Sequence, residues 1–345
     1  MSDERPVIDL GGVVVRVRTT DARTGEILRA NFRPWRATKG AKGSCHEDHE
    51  AHDGIPPRRA RRTRDDPGHE GGLDDAGPVE LDLVRVSRLP AGGRPRTGAT
   101  WTRTAGRHRI VSRWFRLTFD AAAGRAEATV SARFGMADFC RPLAGALLAS
   151  RGGFLLHTAA LEAPGGGALL FCGPSGYGKT TLAKSVPRRV VLADDSVGIQ
   201  FVPGSRFPVP GSRDADGAEP AGQPGTRNAE PGTAVLAHPT PFFGDYGRPP
   251  AGLRPGGRPV RALFLLERPS RKTTAHAATP ATPGEAAARV LTQILMANEA
   301  PPDIRARLLD RAVALATAVP VFWFRYVPGP SVWDYVRGLR IGRGG

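Results

Sequence analysis

Between Val7 and Thr19 apolar and polar residues alternate: Val13, Val15 and Val17 fall on one side, Arg16 and Arg18 on the other. That period of two is the mark of a strand with one buried face. It returns at Val79–Ser87, where Val79, Leu81 and Leu83 alternate with Glu80 and Asp82. The run Arg109–Phe134 predicts two further strands around a turn at Ala121–Gly124. The period then changes. Phe139, Leu143 and Leu147 recur every fourth residue, which predicts a helix closed by Gly152–Gly153. "FLLHTAAL" (Phe154–Leu161) reads as a strand, "APGGG" as a turn, and "ALLFC" (Ala168–Cys172) as a buried strand. "KTTLAKSV" reads as a helix ended by Pro187, "RRVVLADDSVGIQFV" as a strand pair, and Val260–Glu267 as a core strand. Gly284–Asn298 predicts a helix burying Ala287, Leu291 and Leu295, and Asp303–Val319 another with Ile304, Leu308, Ala312 and Leu315 on one face. Val321–Val327 is a strand, and the last helix starts where Ser331 and Asp334 have the spacing of a capping box. Strands alternating with helices predict an α/β half, preceded by a mainly-β one.

Two stretches carry no period. Residues from about 36 to 78 are charged, Gly-rich and nearly devoid of large apolar side chains. Such a segment buries too little to offset its ordering entropy and reads as a disordered insert. Residues from about 203 to 233 are Pro- and Gly-rich and read as a second, flexible insert. The expected organisation is a mainly-β N-terminal unit over 1–135, interrupted at 36–78. A catalytic α/β unit follows over 136–345, interrupted at 203–233.

Composition changes this picture little. The 345 residues, 40% hydrophobic, suffice for two units with a sizeable core. The net charge of +16 suits a polyanion, but the basic residues are nearly all Arg and scattered, densest in Pro56–Asp66 within the insert. No recognition module is visible, so no specific nucleic-acid partner is expected. No apolar run approaches the ~20 residues of a membrane span, and "MSDERPVIDL" lacks a charged-then-apolar leader pattern, so no membrane partner is expected. Cys45, Cys140 and Cys172 are odd in number and far apart, which suits a reducing, cytoplasmic setting. Self-association into a homo-oligomer stays open. Cys45, His46, His49 and His52 crowd together, but not at a closed zinc spacing, and incidental polarity accounts for them better. Arg248, Arg254, Arg258 and Arg261 lie in a flexible stretch that serves either to clamp phosphate or an acidic substrate, or simply for solubility.

The chemistry concentrates in "GPSGYGKTTLAKSV", which fits G-x-x-x-x-G-K-[ST]. Gly173, Gly176 and Gly178 are expected to turn the backbone with positive φ, so that N–H groups approach phosphate oxygens. Lys179 supplies a point charge to the β and γ phosphates and Thr180 a hydroxyl for Mg²⁺. The nucleotide-binding set is thus Gly173, Pro174, Ser175, Gly176, Tyr177, Gly178, Lys179, Thr180 and Thr181. The strand before and the helix after are both in place, and the helix directs its N-terminus at the phosphates. About fifteen residues on, "VVLADD" ends a strand in Asp194 and Asp195. One carboxylate can hold Mg²⁺ and the other accept a proton from an attacking hydroxyl. An acid pair suits transfer to a substrate better than a motor or switch does; the plainer reading keeps one Asp structural. His157 lies on the strand before the loop strand, where a lone His is more often a satisfied core residue.

Taken together, "LLHTAAL", "GPSGYGKT" and "LADD" resemble the bacterial HPr kinase/phosphorylase family, serine kinases with a catalytic domain akin to phosphoenolpyruvate carboxykinase. The match is specific from Gly153 to Ile199 and looser beyond. "HPTPFFGDYG" and "VPVFWFRYVPGPSVWDYV" look more like the stand-alone members near bacterial peptide-modification genes. The resemblance implies a P-loop kinase fold, ATP and Mg²⁺, and a protein or peptide substrate carrying a Ser hydroxyl. It implies His157 as the active-site His, Lys179 and Thr180 as phosphate and Mg²⁺ residues, and Asp194 and Asp195 as the catalytic pair with the metal between them and Thr180. The family's later Glu–Gly-rich signature is not recognisable, so no Glu or Arg role carries over, and the N-terminal unit differs from the usual one. The expected function is therefore an ATP-dependent serine kinase. The rivals are a small-molecule kinase or carboxykinase-like enzyme, and a nucleotide-binding regulatory protein with little turnover.

Overall fold

In the computed structural model, residues 6–32, 77–87, 89, 98–203, 233–268, 270 and 273–339 are described. The two expected inserts lie outside these residues apart from 77–78 of the first and 203 and 233 of the second, as do Cys45, His46, His49, His52 and the Arg cluster of 56–66.

The alternating run at the start is a hairpin rather than one strand. β1 (Val7–Asp9) and β2 (Val14–Thr19) pair antiparallel. Gly11 (φ 83°) and Gly12 (φ 91°) take the left-handed backbone that only glycine adopts freely, and Gly12 N donates to Asp9 Oδ1 at 2.6 Å. A short helix that the pattern did not predict follows. α1 (Ala22–Asn31) is capped by Asp21, whose carboxylate accepts from Arg23 N and Thr24 N. β3 (Val79–Val86), β4 (Ala99–Thr104), β5 (Arg107–Ser112), β6 (Phe115–Asp120) and β7 (Arg125–Ser131) complete a seven-stranded sheet in the order β1-β2-β3-β7-β6-β5-β4. The β2–β3 and β3–β7 pairings are parallel and the rest antiparallel. The run Arg109–Phe134 thus holds parts of three strands, not two. The missed break follows Ser112, whose Oγ accepts from Trp114 N and Phe115 N, both at 3.0 Å, and so makes the turn itself.

α2 (Met136–Ser150) buries Phe139, Leu143 and Leu147 as expected. The second sheet comprises β8 (Phe154–Glu162), β9 (Ala168–Cys172), β10 (Val191–Ala193), β11 (Ser196–Val202), β12 (Ala234–Pro239), β13 (Arg258–Leu266), β14 (Ala277–Pro280) and β15 (Val321–Arg325). Its helices are α3 (Lys179–Ser185), α4 (Pro283–Leu291), α5 (Pro302–Ala318) and α6 (Ser331–Gly338). Strands β9, β13 and β15 run parallel, and β8 pairs with β9, β10 and β11 antiparallel. One face of the parallel strands, bearing Phe171, Phe264 and Phe324, packs with Leu182 of α3 and Val332 and Val336 of α6. The other, bearing Cys172 and Leu265, joins Ala286 and Val290 of α4 and Ile304, Leu308 and Leu315 of α5. That second cluster continues through α2 into Val15, Leu81, Ile110 and Leu117 of the first sheet, so both sheets share one core. They meet tightly where a Cβ on Gly198 would stand 2.0 Å from Gly11 O. The class is mixed α/β with two mixed sheets, and no helix of the described residues is long and apolar enough to cross a membrane.

Two helix expectations need correction. α4 stops at Leu291, leaving Leu291 and Leu295 only partly buried, and its buried residues are Ala286, Ala287 and Val290. The chain turns because β9 pairs only with the second half of β8, so the first half offers free backbone groups there. His157 N donates to Gln293 O at 2.8 Å and Leu295 N to Leu155 O at 2.9 Å. Nor do Ser331 and Asp334 form a capping box: Ser331 is already helical, its Oγ lies 3.1 Å from His276 Nε2, and Asp334 pairs with Arg337. A capping box does start α4, between Thr282 and Glu285.

Candidate active site

β9 is buried throughout and delivers the chain to the sheet edge at Gly173. Gly176 (φ 80°) and Gly178 (φ 91°) are left-handed as expected, whereas Gly173 is not. Its lack of a side chain serves close packing instead, since a Cβ there would stand 3.1 Å from Leu266 Cβ and 3.3 Å from Tyr177 Cβ. Ser175 and Gly176 form the exposed tip, and Tyr177 N closes the turn on Pro174 O at 3.2 Å. Tyr326, at the end of β15, donates its hydroxyl to Gly178 O at 2.7 Å and braces the last loop residue.

Lys179 opens α3 and is 6% exposed. Its Nζ donates to Gly173 O at 2.7 Å and Pro174 O at 3.1 Å. Burial pulls its pKa below the usual lysine value, partly opposed by Asp195. α3 has only seven residues, so the fixed positive charge at the loop comes chiefly from Lys179. Thr180 faces the acid pair, its Oγ1 donating to Asp194 Oδ2 at 3.3 Å. Thr181 accepts from Ser185 Oγ at 2.8 Å through its backbone carbonyl.

The two aspartates sit in the turn between β10 and β11 and have different surroundings. Asp194 is 1% exposed, accepting from Gly244 N at 3.0 Å on Oδ1 and from Tyr246 N at 3.1 Å on Oδ2. Burial raises its pKa, against the opposing effect of those two N–H groups. Asp195 is partly open. Its Oδ2 lies 2.9 Å from Arg141 Nη2 and its Oδ1 3.3 Å from His157 Nδ1. Burial pushes its carboxyl up, but the His157 hydrogen bond and the Arg141 charge outweigh it, leaving the group below the usual range. His157 Nδ1 also lies 2.7 Å from Asp195 O. Facing two acceptors, Nδ1 must carry the proton, which leaves Nε2 as the open nitrogen when the ring is neutral.

The expected residues His157, Lys179, Thr180, Asp194 and Asp195 therefore converge on one sheet edge. Sequence reasoning missed Arg141, whose only signal was a lone cation in a helix otherwise reading as apolar. It also missed Gly244 and Tyr246, whose contribution is backbone N–H and so leaves no side-chain signature. Of the arginines of 248–261, Arg258 and Arg261 make their side-chain bonds away from the loop. Arg261 Nε lies 3.4 Å from Gly166 O, in the β8–β9 turn at the far end of β9. Arg258 bonds Gly256 O at 2.9 Å, and Arg248 offers its carbonyl to Arg188 at 2.8 Å.

Mg²⁺ has a chemically fitting place. Asp194 and the Thr180 hydroxyl are hard oxygen donors in contact, and the three hydrogen bonds Asp194 accepts leave room for one further partner. Among the described residues no group of three or more His, Cys, Asp or Glu side chains is placed to hold a metal ion, at this edge or elsewhere. The chain matches no protein-family model, and no curated protein matches it.

Proposed function

We propose that the chain is an ATP-dependent serine kinase acting on a protein or peptide, with a P-loop kinase domain of the HPr kinase/phosphoenolpyruvate carboxykinase-like type. The observation that carries this reading is the unequal acid pair. Asp194 is buried against Thr180 with its lone pairs largely engaged, whereas Asp195 is partly open beside His157 and Arg141. A phosphate loop alone would serve any nucleotide binder. An ionised carboxylate held open next to it is what transfer to a hydroxyl needs.

In this reading the loop N–H groups and Lys179 Nζ bind the polyphosphate, with Nζ exchanging its Gly173 and Pro174 carbonyls for phosphate oxygens. Thr180 and Asp194 would hold Mg²⁺, which when bound neutralises charge on the transferring phosphoryl group. Asp195 Oδ1 or Oδ2 takes the proton of the Ser hydroxyl as its oxygen bonds to the γ phosphorus and ADP leaves. His157 and Arg141 orient that carboxylate and keep it ionised. The test is ADP formation that depends on an added Ser-containing peptide, with phosphoserine identified on it by mass spectrometry. ADP release without peptide phosphorylation would point to a small-molecule acceptor or water. Tight Mg·ATP binding with no turnover on any acceptor would sink the kinase reading in favour of a regulatory nucleotide binder.

A further inference from the structure

The register of the parallel strands sets Cys172, Leu265 and Trp323 level with one another, so Trp323 lies level with the last residue before the phosphate loop, on the far side of Leu265. α4 covers this side of the sheet. From it Arg289 projects between two rings, its guanidinium carbon 5.5 Å from the Tyr177 centroid and 5.6 Å from that of Trp323. Tyr177 belongs to the loop. The turn after α4 is pinned at the same edge, where Gln293 O accepts from His157 N at 2.8 Å. Arg289 is one helical turn before Gln293, so it is anchored next to the strand that bears the active-site His. The charge registers locally too: burial pushes the Cys172 thiol up to about 12, against the pull of two nearby cations, Lys179 and Arg289.

The guanidinium is nonetheless without a counter-ion among the described residues. Among the described residues it makes no hydrogen bond and no ion pair. The acid one turn earlier on the same helix, Glu285, is committed elsewhere. It accepts from Thr282 N at 2.8 Å, Thr282 Oγ1 at 2.7 Å and Trp323 Nε1 at 3.3 Å. Stacking between rings fixes the plane of a guanidinium while leaving its N–H fork free for an oxyanion. A triphosphate brings several negative charges, and on the loop itself only Lys179 answers them.

We propose that Arg289 is a second fixed cation of the phosphate site, binding an oxygen of the nucleotide's terminal phosphate. This rests on the nucleotide-binding reading above. Cation–π contact with the two rings keeps the fork near the loop before the nucleotide arrives, so less side-chain freedom is lost on binding.

The test measures Mg·ATP, Mg·ADP and Mg·pyrophosphate binding by calorimetry in the full chain, in Arg289→Met and in Arg289→Lys. Met keeps the apolar stem between the rings and removes only the charge. The expected result is a loss of roughly tenfold or more for ATP in Arg289→Met, a smaller loss for ADP, and partial restoration by Lys. An ATP affinity within twofold of the parent overturns the inference. So does an equal loss for ATP and ADP that Lys does not restore, because that pattern marks a distorted loop. Should the Met variant fail to fold, the Arg289 Nε–H resonance of the parent decides. Its shift on saturation with Mg·pyrophosphate supports the contact, and its constancy overturns it. If the parent binds neither nucleotide nor pyrophosphate, the phosphate-loop reading falls first; if the parent binds and the variant binds equally, only Arg289 falls.

Discussion

On the outer face of the first sheet, Arg16 meets Glu80 and Arg18 meets Asp82 across β2 and β3, each cation facing an anion. On its inner side His108 receives the Trp101 indole N–H at 3.1 Å and stacks on Phe119. At the loop edge of the second sheet the same residue types are held differently. Lys179 rests on two carbonyls, Asp194 on two backbone N–H groups, and Arg289 on two aromatic rings. In the first sheet charges satisfy one another and the arrangement is complete. At the loop edge dipoles and rings fix the charges in position without neutralising them, which leaves each able to act on a ligand. Asp195 falls between the two cases, paired with Arg141 yet partly open.

The largest effect that separates the regions is expected from Lys179→Ala. It should weaken Mg·ATP binding and lower phosphoryl transfer by roughly 10²-fold or more, because the loop loses its main fixed charge. The melting temperature should barely change, since in the free protein Lys179 contributes only two carbonyl contacts. Transfer at the parent rate in this variant would remove the loop from the chemistry.

The first sheet should show itself in stability rather than activity. Burial, aided by the Arg103 charge, lowers the His108 pKa from 6.5 to about 4. Between those values the unfolded chain binds the extra proton and the folded one does not, so stability rises with pH across this window. The contribution is complete above about pH 6.5 and declines as pH falls towards 4, by up to roughly 3 kcal/mol. Urea midpoints from pH 7.5 to 4.5 should fall more steeply in the parent than in His108→Phe. Parallel curves would mean that His108 titrates alike in both states.

Smaller still is the effect of Gly178→Ala. The residue has φ 91°, and a Cβ would stand 2.5 Å from the Tyr326 hydroxyl. A cost of about 1–2 kcal/mol is expected, with nucleotide affinity reduced as the loop shifts. Calorimetry and thermal melting on one preparation check both, and an unchanged affinity would show that the brace is not needed. The smallest change is predicted for Asp82→Asn on the exposed face, under about 1 kcal/mol and without effect on nucleotide binding. A larger loss would mean that the outer face of the first sheet is more than a solvated surface.

Much of this fold was legible because burial writes a period into the chain. The stripe Phe139, Leu143, Leu147 and the apolar block Ala168–Cys172 needed no tertiary information. What escaped depended on neighbours. α4 was read too long because Leu291 and Leu295 keep the helical spacing, while the free backbone of β8 captures Gln293–Leu295. α1 lacks a strong apolar stripe, and its main signal is a single capping Asp. In the site, residues joined by a loop motif or a strand end were readable. The partners that distinguish Asp194 from Asp195 come from Arg141 and Gly244–Tyr246, distant in sequence and brought in only by folding.

The central claim is that the two aspartates divide the work, and the paired Asn variants test it most directly. Mg·ATP binding is titrated against Mg²⁺, and transfer to a Ser peptide is measured, in Asp194→Asn and Asp195→Asn. The account predicts that Asp195→Asn keeps the parent's Mg·ATP affinity and loses transfer by about 10²-fold or more, the scale of a lost general base. Asp194→Asn should require far more Mg²⁺ and melt lower, because an amide NH₂ must then face Gly244 N or Tyr246 N, at a cost of about 1–3 kcal/mol. The reverse assignment, or two variants that bind and transfer like the parent, would contradict the account.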